Sequence, residues 1–345
     1  MLTIDGSYGE GGGQVLRTCL SLSAITDTPI RLTNIRAGRG KPGLAAQHLT
    51  CVRAAAKVCD ARVEGDSFGS QELVFQPGAP RCGEFTLDVA DVRPSAGSVN
   101  LILQTVLPVL ARCDGPSRVT LRGGTHVAWA PTFEYVAEVF LPAASRMGVD
   151  ADVQLNKAGY YPRGGGEEIL TVRPSARWTG ADLSRPEADL ACRLVSRTTK
   201  LPDHVGHRQM SNMTQAFPEA EQTSLDTPGI APGTSALAAT VPGQGGWAGC
   251  TAIGQRGKPA EKVGREAVAA LGAFVDSRAA VDQHLADQLL LYAALAEGTT
   301  RLTVEAVTEH ARTNVWVIEQ FLGPTFTIED TANEPPRIIA TPVRD

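Results

Sequence analysis

Apolar residues along this chain recur in two rhythms. Val15, Leu16, Cys19, Leu20 and Leu22 fall at helical spacing and predict a helix running from a glycine loop to about residue 25. Residues 30–35 alternate apolar and polar, as a half-buried strand does. A helix over 44–59 and short strands through about residue 88 follow, with Pro77-Gly78 and Cys82-Gly83 as turns. The rhythm then returns: helix over 95–110, strand over 117–121, helix from Ala130-Pro131 to about 147, strands over 151–155 and 169–172. Two triple-glycine runs, around Gly12 and Gly165, point to an internal duplication. The hairpin-length links between strands favour an α+β layered fold over a doubly wound sheet.

Near residue 180 the composition shifts. Residues 203–222 are polar, and 225–249 are rich in Gly, Pro, Ser and Thr. Strands are expected at 189–199 and 252–257, and a helix at 260–279. The reading is a smaller inserted domain, 185–278, interrupting a large domain of 1–184 plus 279–345. The large domain closes with a helix over 281–295, a strand over 301–304 and a last helix. Thr308 is the expected N-cap of that helix, Gly323 its C-cap, and Ala311, Val315, Ile318 and Leu322 its buried stripe.

The 345 residues are 43% hydrophobic and 20% charged, enough for a large core. A net charge of −5 argues against broad polyanion binding but allows a local pocket for one phosphorylated end. Aromatic residues are 5%, so stacking is not expected to dominate a nucleic-acid surface. The seven cysteines are odd in number and lack C-x-x-C spacing, which predicts a reduced, cytoplasmic protein with neither disulfide frame nor zinc site. No secretory leader and no membrane span are expected.

Against this background four features could carry chemistry. The first is Ser7–Arg17, where Gly9, Gly11, Gly12 and Gly13 surround Glu10 ahead of a helix. Such a loop aims backbone N–H groups at an anion, although a tight turn with nothing bound reads the same way. Glu10 has little packing role there; Mg²⁺ or Mn²⁺ held by one carboxylate and substrate phosphates would suit it. The second is a set of cations, Arg17, Arg36, Arg39 and Lys41, suited to phosphate or simply to a solvated face. The third is His284, Asp287 and Gln288, which share a helix face and fit either ligand contact or a solvated edge. The fourth is His310, in a first helical turn. A helix N-terminus disfavours imidazolium, so the ring is expected to stay neutral and nucleophilic toward an activated phosphoryl group. A surface histidine is the plain alternative.

These residues resemble the RNA 3′-terminal phosphate cyclase family, in its catalytic branch. The similarity rests on the Ile4–Arg17 loop, residues 36–49, Arg122-Gly-Gly-Thr125 with Ala130-Pro131, residues 159–166, 255–264 and 284–289, and the His310–Leu322 helix, all in family order. The resemblance implies a large domain of repeated units, two helices packed on a four-stranded sheet, with a smaller inserted α/β domain. It implies conversion of an RNA 3′-phosphate to a 2′,3′-cyclic phosphodiester, with ATP and a divalent metal. Histidyl-AMP and RNA(3′)pp(5′)A would be the intermediates. His310 would be the nucleophile and Glu10 the metal ligand. Gln104, His284, Leu285, Ala286, Asp287 and Gln288 would bind ATP. Arg17, Arg36, Arg39, Gln47 and His48 would hold phosphates or the RNA end. No membrane and no obligatory protein partner are expected. A non-catalytic RNA-binding assembly factor of the same fold is the alternative, and an enolpyruvyl-type transferase a more distant one.

Overall fold

The structure is a computed structural model that describes residues 1–92, 95–175, 177–186, 188–332 and 334–342. Its main body is one motif repeated three times: strand, helix, strand, helix, strand, strand. In the first repeat the strands are Leu2–Asp5, Ile30–Thr33, Arg62–Glu64 and Leu73–Gln76, and the helices Gly13–Thr26 and Ala46–Cys59. The second uses strands Gly83–Asp88, Ser117–Gly123, Ala151–Lys157 and Gly166–Val172, helix Val99–Ala111 and a helical segment over 133–145. The third uses strands Asp182–Leu183, Thr300–Thr303, Phe326–Glu329 and Arg337–Ala340, and helices Gln283–Leu295 and Glu309–Leu322. In all three sheets the spatial order is first, second, fourth, third. The first two strands pair in parallel and the others antiparallel, in identical fashion each time. The duplication expected from two glycine runs is thus a triplication. The third copy escapes the eye because 99 residues, by numbering 184 to 282, separate its first strand from its first helix.

That separation holds a fourth sheet, in the order Glu221–Asp226, Cys192–Thr199, Gly233–Thr240, Gly249–Ile253. Helices His204–Ala216 and Ala260–Ser277 pack on it around an apolar cluster of its own, including Leu194, Met213, Val263, Leu271 and Phe274. Three elements here were not expected, among them the fully exposed strand Glu221–Asp226. The helix His204–Ala216 buries only Gly206, Gln209, Met210 and Met213, so its apolar signal is faint. The strand Gly233–Thr240 is built from Ala, Ser and Thr around a single Leu237 and reads as a loop by composition, yet nearly all of it is buried.

The helices of the three repeats meet in one apolar core. Helix Gly13–Thr26 lies against Ala46–Cys59, Val99–Ala111 and Glu309–Leu322. Helix Val99–Ala111 is buried on every side except at Gln104, as a central helix must be when it is apolar all round. It begins at Val99 and not at residue 95, because Ser98 is extended and bridges to Gly124. The seven cysteines are unpaired thiols, and those at 19, 51 and 59 are buried in this core. None of the helices among the described residues is long and apolar enough to cross a membrane.

A candidate active site where the first and third repeats meet

The helix carrying Asp287 is fixed at its start by Asp282. Its Oδ1 accepts from the His284 and Leu285 N–H groups, each at 2.8 Å. The same carboxylate accepts from the Tyr135 hydroxyl and the Gly249 N–H, so the second repeat and the fourth sheet set where this helix begins. The next helix of the third repeat is capped by Thr308, whose Oγ1 accepts from the Ala311 N–H at 3.0 Å. His310 is its second residue, and Nδ1 lies 2.7 Å from Asp287 Oδ2. The other carboxylate oxygen accepts from Asn314 Nδ2 at 3.0 Å. Thr18 Oγ1 donates to Asn314 Oδ1 at 2.7 Å, Gln14 Nε2 to Thr18 Oγ1 at 3.1 Å, and Arg17 Nη2 to Gln14 Oε1 at 2.6 Å. A continuous chain of hydrogen bonds therefore joins the imidazole of the third repeat to a buried guanidinium of the first.

Burial works against a charge on His310, but the hydrogen bond and charge of Asp287 outweigh it. Glu10 adds to the carboxylate and Arg17 opposes it, and the pKa ends above the ordinary 6.5. The expectation that the helix end alone keeps this ring neutral is thus corrected: a carboxylate at bonding distance beats a partial dipole charge. Asp287 also selects the tautomer. With Nδ1–H donated to the carboxylate, Nε2 is the lone-pair nitrogen of the neutral ring.

The glycine loop lies against the same helix. Gly9 (φ +57°) and Gly11 (φ +54°) are left-handed, and a Cβ on Gly9 would overlap the Thr313 hydroxyl. The Glu10 N–H donates to that hydroxyl at 3.3 Å, while the Glu10 side chain is exposed. Tyr8 stacks on Trp316, centroids 3.8 Å apart. A Cβ on Gly13 would sit 2.5 Å from His48 Nε2 and 3.1 Å from Arg17 Nη1, so these two side chains converge on the start of the loop's helix. Burial, then Arg36 and Arg17, push the His48 pKa down to about 3. Its Nδ1 accepts from the Ala45 N–H at 3.2 Å. Arg39 Nη2 reaches back to the Glu10 carbonyl at 3.1 Å, and Arg36 Nη1 to the Gly43 carbonyl at 2.8 Å. Gln47 Oε1 accepts from the Ser98 N–H at 3.0 Å. Lys41 is exposed at the edge of this group.

Beside this run of hydrogen bonds opens a narrow cleft of about 30 Å³, lined by Gln14, Arg17, Gln104, Asp287, Gln288 and Asn314 among others. Gln104 Nε2 donates across it to Gln288 Oε1 at 2.6 Å. Leu285 and Ala286 are fully buried and do not line it, and His284 is exposed outside its lining. Sequence reasoning missed Gln14, Thr18, Thr313 and Asn314. Helical spacing held the clue: Thr313 and Asn314 follow His310 by three and four positions, and Gln14 precedes Arg17 by three.

The RNA 3′-terminal phosphate cyclase family model matches residues 8–328. Curated relatives named RNA 3′-terminal phosphate cyclase include one from Methylococcus capsulatus, 48% identical over 93% of this chain and 91% of its own. Another, from Pyrobaculum neutrophilum, is 42% identical over 94% of each chain. A third, from Archaeoglobus fulgidus, is 44% identical over 95% of this chain and 98% of its own. The chain belongs to the RNA 3′-terminal phosphate cyclase family. A solved enolpyruvyl transferase, NikO from Streptomyces tendae, aligns over 99% of this chain and 65% of its own. At 10% identity and a TM-score of 0.27 it carries no weight. In this member of the cyclase family a carboxylate, Asp287, and a cation, Arg17, line one cleft, and His310 is bonded to that carboxylate. Among the described residues no group of three His, Cys, Asp or Glu side chains could hold a metal ion. Glu10 could supply one ligand, the others coming from phosphate oxygens and water, as Mg²⁺ tolerates.

Proposed function

We propose that this chain is an ATP-dependent enzyme that closes an RNA 3′-phosphate into a 2′,3′-cyclic phosphodiester, with His310 Nε2 as the nucleophile. The observation that carries the reading is the 2.7 Å contact between His310 Nδ1 and Asp287. In the first step Nε2 attacks the α-phosphorus of ATP and pyrophosphate leaves. The imidazole becomes cationic in histidyl-AMP, and Asp287 stabilises that charge while leaving the ring a good leaving group. In the second, an oxygen of the RNA 3′-phosphate displaces His310, giving RNA(3′)pp(5′)A. In the third, the adjacent ribose 2′-hydroxyl attacks the RNA phosphorus, loses its proton to water and expels AMP. Proximity supplies much of that last step, since the hydroxyl is already held beside the phosphorus.

Arg17, Arg36, Arg39, Gln47 and His48 hold the phosphorylated end in this reading. With Nδ1 accepting from Ala45, the neutral His48 ring keeps its proton on Nε2 and can donate it without adding repulsion among the arginines. Gln104, Gln288 and the exposed His284 face the adenylate, Asp287 acts through His310, and Leu285 and Ala286 contribute backbone only. Glu10 with the triphosphate would hold a divalent ion, which when bound neutralises phosphate charge. The division into 1–184 with 279–345 and an inserted 185–278 belongs to the same proposal, supported by the separate sheet and separate apolar cluster of the insertion.

Incubation with α-labelled ATP and Mg²⁺ or Mn²⁺, followed by a denaturing gel, tests the chemistry. An acid-labile, alkali-stable protein–AMP adduct is expected in the wild type and absent in His310→Ala. An unlabelled wild type that still binds RNA would leave a binding protein in place of the enzyme.

A further inference from the structure

We propose that the nucleotides preceding the RNA 3′ end lie on a surface made by Trp129, Tyr161, Arg163 and Lys200. Unpaired bases stack on the two rings, and the phosphates between them meet the two cations. The proposal rests on the RNA reading above and extends it along the strand, away from the reacting phosphate.

The starting point is two aromatic rings left in water. Trp129 is 98% exposed and Tyr161 is 80% exposed, although rings of this size ordinarily bury most of their area. Both stand on loops with a rigid common base. The Thr125 and His126 N–H groups donate to the Gly159 carbonyl at 2.9 and 3.0 Å, and the Gly159 N–H donates to Thr125 Oγ1 at 2.9 Å. Tyr160 stacks on the buried His126, centroids 5.0 Å apart. Trp129 stands three residues beyond His126, a reach of about 11 Å at most, and Tyr161 directly follows Tyr160, so both rings rise from the same edge. Asn100 Nδ2 ties the far side of the Trp129 loop by donating to the Pro131 carbonyl at 3.0 Å. Trp129 itself is held at φ +64°, a conformation a bulky residue adopts only where its surroundings impose it.

The cations and the position of this patch point to the partner. Arg163 is exposed on the Tyr161 loop. Lys200 Nζ donates to the Ile230 carbonyl at 3.5 Å, and the Ile230 side chain packs on Gly165 of that loop. Neither cation is ion-paired among the described residues. The patch is also continuous with the residues assigned to the RNA end. Gly164 lies against Ser95 and Ala96, Gly97 lies against the Gln47 side chain, and Gln47 holds the Ser98 N–H. A strand whose 3′-phosphate sits at Gln47 and His48 therefore passes Gly164 and reaches Tyr161 and Trp129. Stacking reads no sequence, because every base presents a π-face. Two rings and two cations suit an enzyme that grips only the last few nucleotides, in keeping with a chain that is acidic overall.

The test uses 3′-phosphorylated RNA from a dinucleotide to a decamer, and a 3′-hydroxyl decamer as a non-reactive ligand read by tryptophan fluorescence. In the wild type KM is expected to fall with length and the decamer to quench fluorescence. W129A/Y161A should raise the decamer KM by at least about 30-fold and leave the dinucleotide and the RNA-free adenylation label unchanged. W129F should restore most of the loss. R163A/K200A should reduce the slope of log affinity against log salt by about 1.4. An unchanged decamer KM in W129A/Y161A overturns the proposal. So does a changed adenylation label, which would give the patch to the nucleotide site, or a changed sedimentation coefficient without an RNA effect, which would make it a protein contact. Quenching by the decamer in a wild type that forms no adduct sinks the chemistry and leaves the patch standing.

Discussion

Among the described residues stand two histidine–carboxylate pairs, and they differ in what each leaves open. His126 is wholly buried. Its Nδ1 lies 2.6 Å from Thr125 Oγ1 and its Nε2 2.8 Å from Glu134 Oε2, so both ring nitrogens are used. Glu134 is further bound by Arg197, which also reaches Thr227, and the cluster bolts the second repeat to the fourth sheet. His310 is 39% exposed and spends only Nδ1 on its carboxylate. The first pair is closed on itself and holds two parts of the fold together. The second has one nitrogen left to give, beside a cleft and a set of arginines.

The two pairs should differ most at His310. His310→Ala should lower protein–AMP formation by at least about 10⁴-fold with an unchanged melting temperature, measured on labelled gels and by calorimetry. Asp287→Asn should come next, with the single-turnover adenylation rate falling about 10²–10⁴-fold because the tautomer is no longer selected. The wild-type rate should fall as the pH drops through a midpoint above 6.5, since Asp287 raises the pKa of the ring that must be neutral to attack. The variant's midpoint should move down.

Glu134→Ala should do the opposite: cost about 3–5 kcal/mol of stability in denaturant melts, with the labelling rate per folded molecule unchanged. Burial alone would raise the Glu134 pKa, but His126 and then Arg197 bring it down to about 2 from an ordinary 4.5. A depressed carboxylate contributes stability above its unfolded pKa, and that contribution is lost as pH falls toward 2. The variant should therefore lose less stability than the wild type between pH 4.5 and 2. The smallest effect is expected for Gly9→Ala, about 1–3 kcal/mol of local strain, with weaker labelling because the loop must lift off Thr313.

Much of the fold was legible in the chain. The Thr308 and Gly323 ends of the last helix were readable from capping chemistry, and the Gly/Glu loop from its composition. The strand Gly233–Thr240 was not, because small residues fit a tightly packed sheet without the β-branched signature that marks one. The third repeat was hidden by the insertion at its first loop. At the site, His310 and Asp287 were each visible, but their contact was not, since their helices are brought side by side only by packing. The direction of the His310 pKa shift was hidden for the same reason. A helix end can be seen in sequence, whereas a carboxylate from another helix cannot. His126 shows the converse, a histidine without recognisable ligand spacing whose ring is bonded by its neighbour Thr125 and by Glu134 and stacked by Tyr160.

The clasp between the glycine loop and the last helix has a consequence for how the protein comes into being. The contacts Glu10–Thr313 and Thr18–Asn314 close segments of 303 and 296 residues. A chain still emerging from the ribosome holds its opening loop and first helix before their partners in the last helix have been made. Helix Gly13–Thr26 therefore keeps part of its apolar face uncovered until the last helix arrives, and the proposed site is assembled last.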